Sequence, residues 1–170
     1  MRKVSLAILA GVMATSAYAG TATNNIQASV TVASTLSVAA TQNLDFGTII
    51  QGDTATVSLP GACPSSLPGS NGVFTVSGAT GGESVTMTMG YDANLVSGAN
   101  TIALGSPAAG FCATGDDTTA PTTVTTAGTG VTLAADAAST NQVFVGGSVT
   151  ADPAQAVGTY TGTVTLTVTY

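Results

Sequence analysis

Gly158-Thr-Tyr-Thr-Gly-Thr-Val-Thr-Leu-Thr-Val-Thr-Tyr170 is the stretch whose reading decides the fold. Every second residue from Thr159 to Thr169 is threonine, and Tyr160, Gly162, Val164, Leu166, Val168 and Tyr170 stand between them. Side chains alternate faces along a strand, so one face carries hydroxyls and methyls and the other is aromatic and aliphatic. Fully extended, the stretch reaches about 40 Å. A strand this regular needs cover for its apolar face and a neighbour along each edge. What supplies the second edge is the functional question.

A similar pattern occurs near the other end. In Ile26-Gln-Ala-Ser-Val-Thr-Val-Ala33, the residues Ile26, Ala28, Val30 and Val32 fall on one face, and the alternation runs on through Leu36 and Val38. Between the two ends, short β-prone runs alternate with turn residues. Leu44 to Ile50 points Leu44, Phe46 and Ile50 inward, and Gln51-Gly52-Asp53 reads as a hairpin turn before a strand at 55–59. Pro60 to Gly72 is a loop, and strands follow at 73–76, 84–89 and 100–104. Cys112 comes after a Gly/Pro/Ala loop; 122–126 reads as an edge strand, 131–133 leads into an alanine run at 134–140 with room for one helical turn, 142–147 reads as a strand and turn, and 149–151 precedes the connection into the final strand. Turn signals about every ten residues, with Thr, Val, Ala and Gly dominant, predict an all-β sandwich. Phe46, Phe74, Phe144, Tyr160 and Tyr170 are its expected larger anchors.

Residues 1–19 read as a secretory signal peptide. Arg2 and Lys3 precede an apolar run, and Ala17-Tyr18-Ala19 supplies small residues for cleavage between Ala19 and Gly20. The apolar run is too short for a comfortable bilayer span, and no later stretch is long enough for one. Arg2 and Lys3 are also the only basic side chains in the 170 residues, and histidine is absent. The chain after cleavage therefore carries eight acidic residues and no cationic side chain. Nothing in it can displace phosphate counterions or adhere to anionic lipid, which excludes nucleic-acid binding and electrostatic membrane binding. Side-chain ion pairs cannot form, so the fold must rest on apolar burial, backbone hydrogen bonds and any disulfide.

Cys63 and Cys112 are the only cysteines. In a secreted chain two cysteines most often pair, and a bridge closing a loop of this size adds roughly 4 kcal/mol on the chain-entropy account. A free thiol pair or an intermolecular bridge is the alternative. Without His or Lys the common nucleophile–base pairs cannot be built, so no catalytic site is assigned and the chain is not expected to be an enzyme. Asp116 and Asp117 read as solvated loop charge. Asp92 with Asn94, or Asp116 and Asp117 with backbone carbonyls, has calcium-compatible chemistry, but no EF-hand spacing is present. No metal and no cofactor is assigned.

The closing stretch resembles the carboxy-terminal strand of chaperone–usher pilus subunits, closest to the archaic, spore-coat-U-like pilins and related uncharacterised secreted domains. Leu44-Asp45-Phe46-Gly47 and Gln155-Ala156-Val157-Gly158 resemble the same group. The resemblance implies an immunoglobulin-like β-sandwich that lacks its final strand and is completed by donor-strand exchange. On that reading residues 20–34 are an amino-terminal extension and 35–170 the sandwich domain. The donor strand is Ile26, Ala28, Val30 and Val32, and the acceptor groove is Tyr160, Val164, Leu166, Val168 and Tyr170. The implied partners are neighbouring copies in a filament, with a periplasmic chaperone and an outer-membrane usher during assembly, and the implied destination is an extracellular fibre on the cell surface. The alternative is a self-complemented secreted or surface β-sandwich whose own first strand fills the groove, or a carbohydrate- or calcium-binding module.

Overall fold

The computed structural model describes residues 27, 30, 35–78, 81–113, 118–134 and 141–170. The chain divides into two units, residues 1–31 and 32–170, and every strand described belongs to the second. The β-branched and glycine-rich sequence forms strands and turns with no helix among the described residues. The strands are β1 (Ser37–Gln42), β2 (Thr54–Val57), β3 (Gly72–Ser77), β4 (Ser84–Tyr91), β5 (Asn94–Ser97), β6 (Asn100–Cys112), β7 (Thr122–Val124), β8 (Thr129–Thr132), β9 (Gln142–Thr150) and β10 (Val164–Thr169).

Two antiparallel sheets result. The larger has the order β1-β3-β9-β6-β5, with β2 on β9 and β7 on β6, and the smaller is β10-β4-β8. Strand β9 is the axis of the larger sheet. On one side its first half pairs with β3, from Thr75↔Gln142 to Gly72↔Val145, and its second half with β2, from Val57↔Gly147 to Thr54↔Thr150. The changeover falls at Gly146, where a Cβ would lie 2.3 Å from the Val57 carbonyl oxygen. Only glycine allows the departing chain to cross so closely. Asn71 secures the same place: its buried Nδ2 donates to the carbonyls of Ser58 and Val145.

Between the sheets lies the main core. Val76, Ala109, Phe111, Val143 and Val145 of the larger sheet meet Val85, Met87, Met89 and Leu166 of the smaller. A second cluster, Val73 and Phe144, lies on the outer face of the larger sheet beneath the Cys63–Cys112 disulfide. A third, Ile102, Leu104 and Val149, is covered by Phe46, Ile49, Ala55, Leu95 and Tyr160 at one pole of the sandwich.

The arrangement is immunoglobulin-like. β1, β3, β9 and β6 correspond to the A-B-E-D sheet and β4 and β10 to strands C and F. A tyrosine corner marks the connection into strand F, where the Tyr160 hydroxyl donates to the Ala156 carbonyl at 2.7 Å and accepts from Gln155 Nε2 at 2.7 Å.

Several local expectations need correction. The closing strand spans Val164–Thr169 rather than the whole of 158–170, because ahead of it Tyr160 packs on the third cluster and Thr161 bridges Val96 instead. Tyr160 is therefore a corner residue and not part of a groove floor. Tyr170 is no core anchor; it is 64 % exposed, while Phe111, not singled out by the sequence reading, is buried. Residues 50–53 do form a turn, with Asp53 N–H donating to the Ile50 carbonyl, but no hairpin follows, since β2 pairs with β9. Ile49 rather than Ile50 turns inward. The Gly/Pro/Ala stretch before Cys112 is not a loop. β6 runs through it, adjusting by a bulge between Gly105 and Ala108.

Candidate strand-acceptor edge

Strand β10 pairs with β4 from Val164↔Tyr91 to Thr169↔Thr86. Its start is pinned by two contacts: Asp92 N–H donates to the Thr163 carbonyl at 2.9 Å, and Thr163 N–H donates to Asp92 Oδ2 at 2.7 Å. That sets the phase of the ladder. Thr163, Thr165, Thr167 and Thr169 direct their backbone groups toward β4, and Val164, Leu166 and Val168 direct theirs the other way. On that other side no described strand pairs with β10. In immunoglobulin terms this is the place of strand G.

The same three residues, Val164, Leu166 and Val168, turn their side chains into the main core. Leu166 is buried and the other two are half-buried. The apolar lining and the N–H and C=O groups that no described strand pairs thus lie along one line.

The facing lip is β1. It pairs with β3 from Ser37↔Ser77 to Gln42↔Val73 and ends the larger sheet. Val38 stands opposite Val76 and Ala40 opposite Phe74, so Val38 and Ala40 face the side on which Val76 and Phe74 meet the core. Yet β1 is exposed along nearly its whole length. Its inward side has no cover from the smaller sheet. Leu36 and Leu44, just outside the strand's two ends, pack on the core. Near the start of β10 an apolar cleft of about 270 Å³, partly open to solvent, is bounded by Leu44, Met89, Tyr91, Val124, Val145 and Val164.

Of the residues assigned to a groove, Val164, Leu166 and Val168 are brought together. Tyr160 is at the pole beside the third cluster, and Tyr170 follows the end of the strand. Cys63 and Cys112 form a buried disulfide with a Cα–Cα distance of 5.5 Å. The donor residues Ile26, Ala28 and Val32, and the cleavage residues Ala19 and Gly20, lie outside the described residues. Val30 is described; it is exposed and in no strand. Asp92, weighed as a calcium ligand, has its carboxylate on the Thr163 N–H, and Asp116 and Asp117 lie outside the described residues. Among the described residues no group of three His, Cys, Asp or Glu could hold a metal.

The first alternation runs on through Leu36 and Val38, and nothing in the sequence marks a separate role for them. Opposite Val76, Val38 is the second lip of the opening. Tyr91 was missed because it lies beyond the 84–89 run.

The model of a family described as a domain of unknown function, DUF4402, matches residues 36–170, which contain all ten described strands. No curated protein matches the chain.

Proposed function

We propose that the chain, which belongs to the DUF4402 family, is a structural subunit of an extracellular fibre, joined to its neighbours by strand donation. The observation that carries this reading is the edge of β10 that no described strand pairs, beside an apolar row half-buried at Val164 and Val168, faced by an exposed β1. An open edge of this kind invites pairing with another chain, and natural folds ordinarily blunt it with charge or a covering segment. After Lys3 the chain has no Lys or Arg to do so. The occupant is the segment Ile26 to Val32 of the next copy, whose alternation matches an alternating edge. The contact is heterologous and does not close on itself, so it propagates as a filament. Export behind the 1–19 leader and custody of the edge by a periplasmic chaperone and an outer-membrane usher complete the reading.

The test is Val30→Asp, with negative-stain microscopy of the cell-surface fraction. A charge placed against the apolar strip costs several kcal/mol. Export should continue while fibres disappear. Fibres of normal abundance from Val30→Asp would refute the donor assignment. A wild-type protein that stays monomeric, with 26–33 paired inside its own sandwich, would replace it by the self-complemented reading.

A further inference from the structure

We infer that the pole carrying Ile50, Val96 and Val157 is a second contact surface between consecutive subunits, occupied by the opposite pole of another copy. This inference rests on the fibre reading above and adds a body-to-body contact to the donated strand.

Exposed large apolar side chains are not scattered over the described surface. Val38, Tyr91 and Tyr170 border the open edge or its ends. Val30 lies in the donor segment, and Leu67 stands alone in the loop before β3. The remaining three, Ile50 at 73 %, Val96 at 48 % and Val157 at 95 %, share one pole. Their segments are tied together there. Gln51 Nε2 donates to the Gln155 carbonyl, Gln155 Nε2 to the Thr101 carbonyl, and Thr101 pairs with Val96, which also bridges Thr161. Ile50 and Val96 each adjoin a residue that turns inward to cover the third cluster, Ile49 and Leu95. Three exposed aliphatic side chains on segments tied together in this way form the start of an apolar patch, and such patches mark contact surfaces.

Chain geometry says what would cover it. β10 begins at this pole and ends at the other, where Thr169 pairs with Thr86 near the start of β4. β1 begins at that far pole, with Ser37 beside Ser77 and the Thr35 carbonyl against Gly78. An inserted strand antiparallel to β10, the more stable pairing, finishes at the Ile50 pole. From Val32 the donor chain then has only residues 33–36 before its own β1, a reach of about 17 Å at most. The donor's far pole is therefore drawn against the acceptor's Ile50 pole. A parallel insertion would instead bring two far poles together and leave Ile50, Val96 and Val157 in water.

The experiment pairs Ser77→Cys at the far pole with Val157→Cys, both at exposed sites, in full-length protein assembled into surface fibres. After mild oxidation, the doubly substituted chain should give a ladder of covalent multimers on a denaturing gel, and neither single substitution should. Loss of fibres on Val157→Cys alone also supports the contact, because a side chain 95 % exposed in the subunit has no other packing to lose. Fibres visible by microscopy but without a ladder would overturn it, as would a ladder from Ser77→Cys alone. Absence of fibres from the unsubstituted chain would overturn the fibre reading itself, a result distinct from these.

Discussion

Val38 and Val76 face each other across the β1–β3 pairing, yet Val76 is 1 % exposed and Val38 39 %. They are the same residue type on the same face of the same sheet. The difference is that the smaller sheet ends above Val76 and does not reach Val38. Val76→Ala should therefore cost the subunit about 2–3 kcal/mol, from lost transfer energy and a residual cavity. Val38→Ala should cost under about 1 kcal/mol in the subunit and, on the strand-donation proposal, lower the dissociation temperature of the fibre. Urea melts of monomer and heating of fibres separate the two.

Proline substitution distinguishes the two edges of β10. Thr167 directs its N–H to β4, and Val168 directs its own to the open side. Proline is tolerated where a strand N–H faces away from the sheet. Thr167→Pro should destabilise the subunit by about 1–3 kcal/mol more than Val168→Pro, from the lost ladder bond and its orphaned partner. Val168→Pro should leave a folded subunit that polymerises poorly, and circular dichroism with microscopy reads both outcomes.

How the closing stretch is divided can be checked at Tyr160. Tyr160→Phe removes the hydroxyl that bonds Ala156 and Gln155. A stability loss of about 1–2 kcal/mol with assembly unimpaired is expected. Unchanged stability with weakened assembly would return Tyr160 to the groove.

The disulfide is expected to act through the outer face rather than the opening. Cys63 and Cys112 cover Val73 and Phe144, on the side of the larger sheet away from β10. Replacing both cysteines by alanine should cost about 2–5 kcal/mol. On the strand-donation proposal, the open edge of β10 should still take up a donor strand in whatever fraction remains folded, measured by polymer yield at low temperature.

Sandwich class, most strands and the inward set Val164, Leu166 and Val168 were legible because period-two alternation reports directly on a half-buried strand. The signal failed where tertiary demand overrode it. Thr159 to Thr163 alternate as perfectly as the rest, but the third cluster needed a lid, and Tyr160 supplies it. The stretch from Gly105 to Gly110 carries turn composition and still lies in β6, because a bulge absorbs Ser106 at a φ of 44°. Leu44-Asp45-Phe46-Gly47 drew notice as a motif, and its physical use is local. Leu44 fills the main core, Phe46 the third cluster, and Gly47, at a φ of 70°, donates its N–H to Asp45. The uncovered side of β1 was not legible, since exposure of an apolar residue depends on a strand in the other sheet that sequence order does not position.

A repeating sequence makes poor alignment information. Shift β10 two residues along β4 and Val164, Leu166 and Val168 give way to Leu166, Val168 and Tyr170, or to Gly162, Val164 and Leu166; the threonines still face water. Side-chain alternation penalises odd shifts heavily and even shifts hardly at all. What breaks the near-degeneracy lies just ahead of the strand. The Asp92–Thr163 exchange, the Val96–Thr161 bridge and the Tyr160 corner act as index marks that select one alignment from a ladder of near equals. An incoming strand of similar repetitive character would meet the same ambiguity, and any mark that resolves it must lie in its flanks as well.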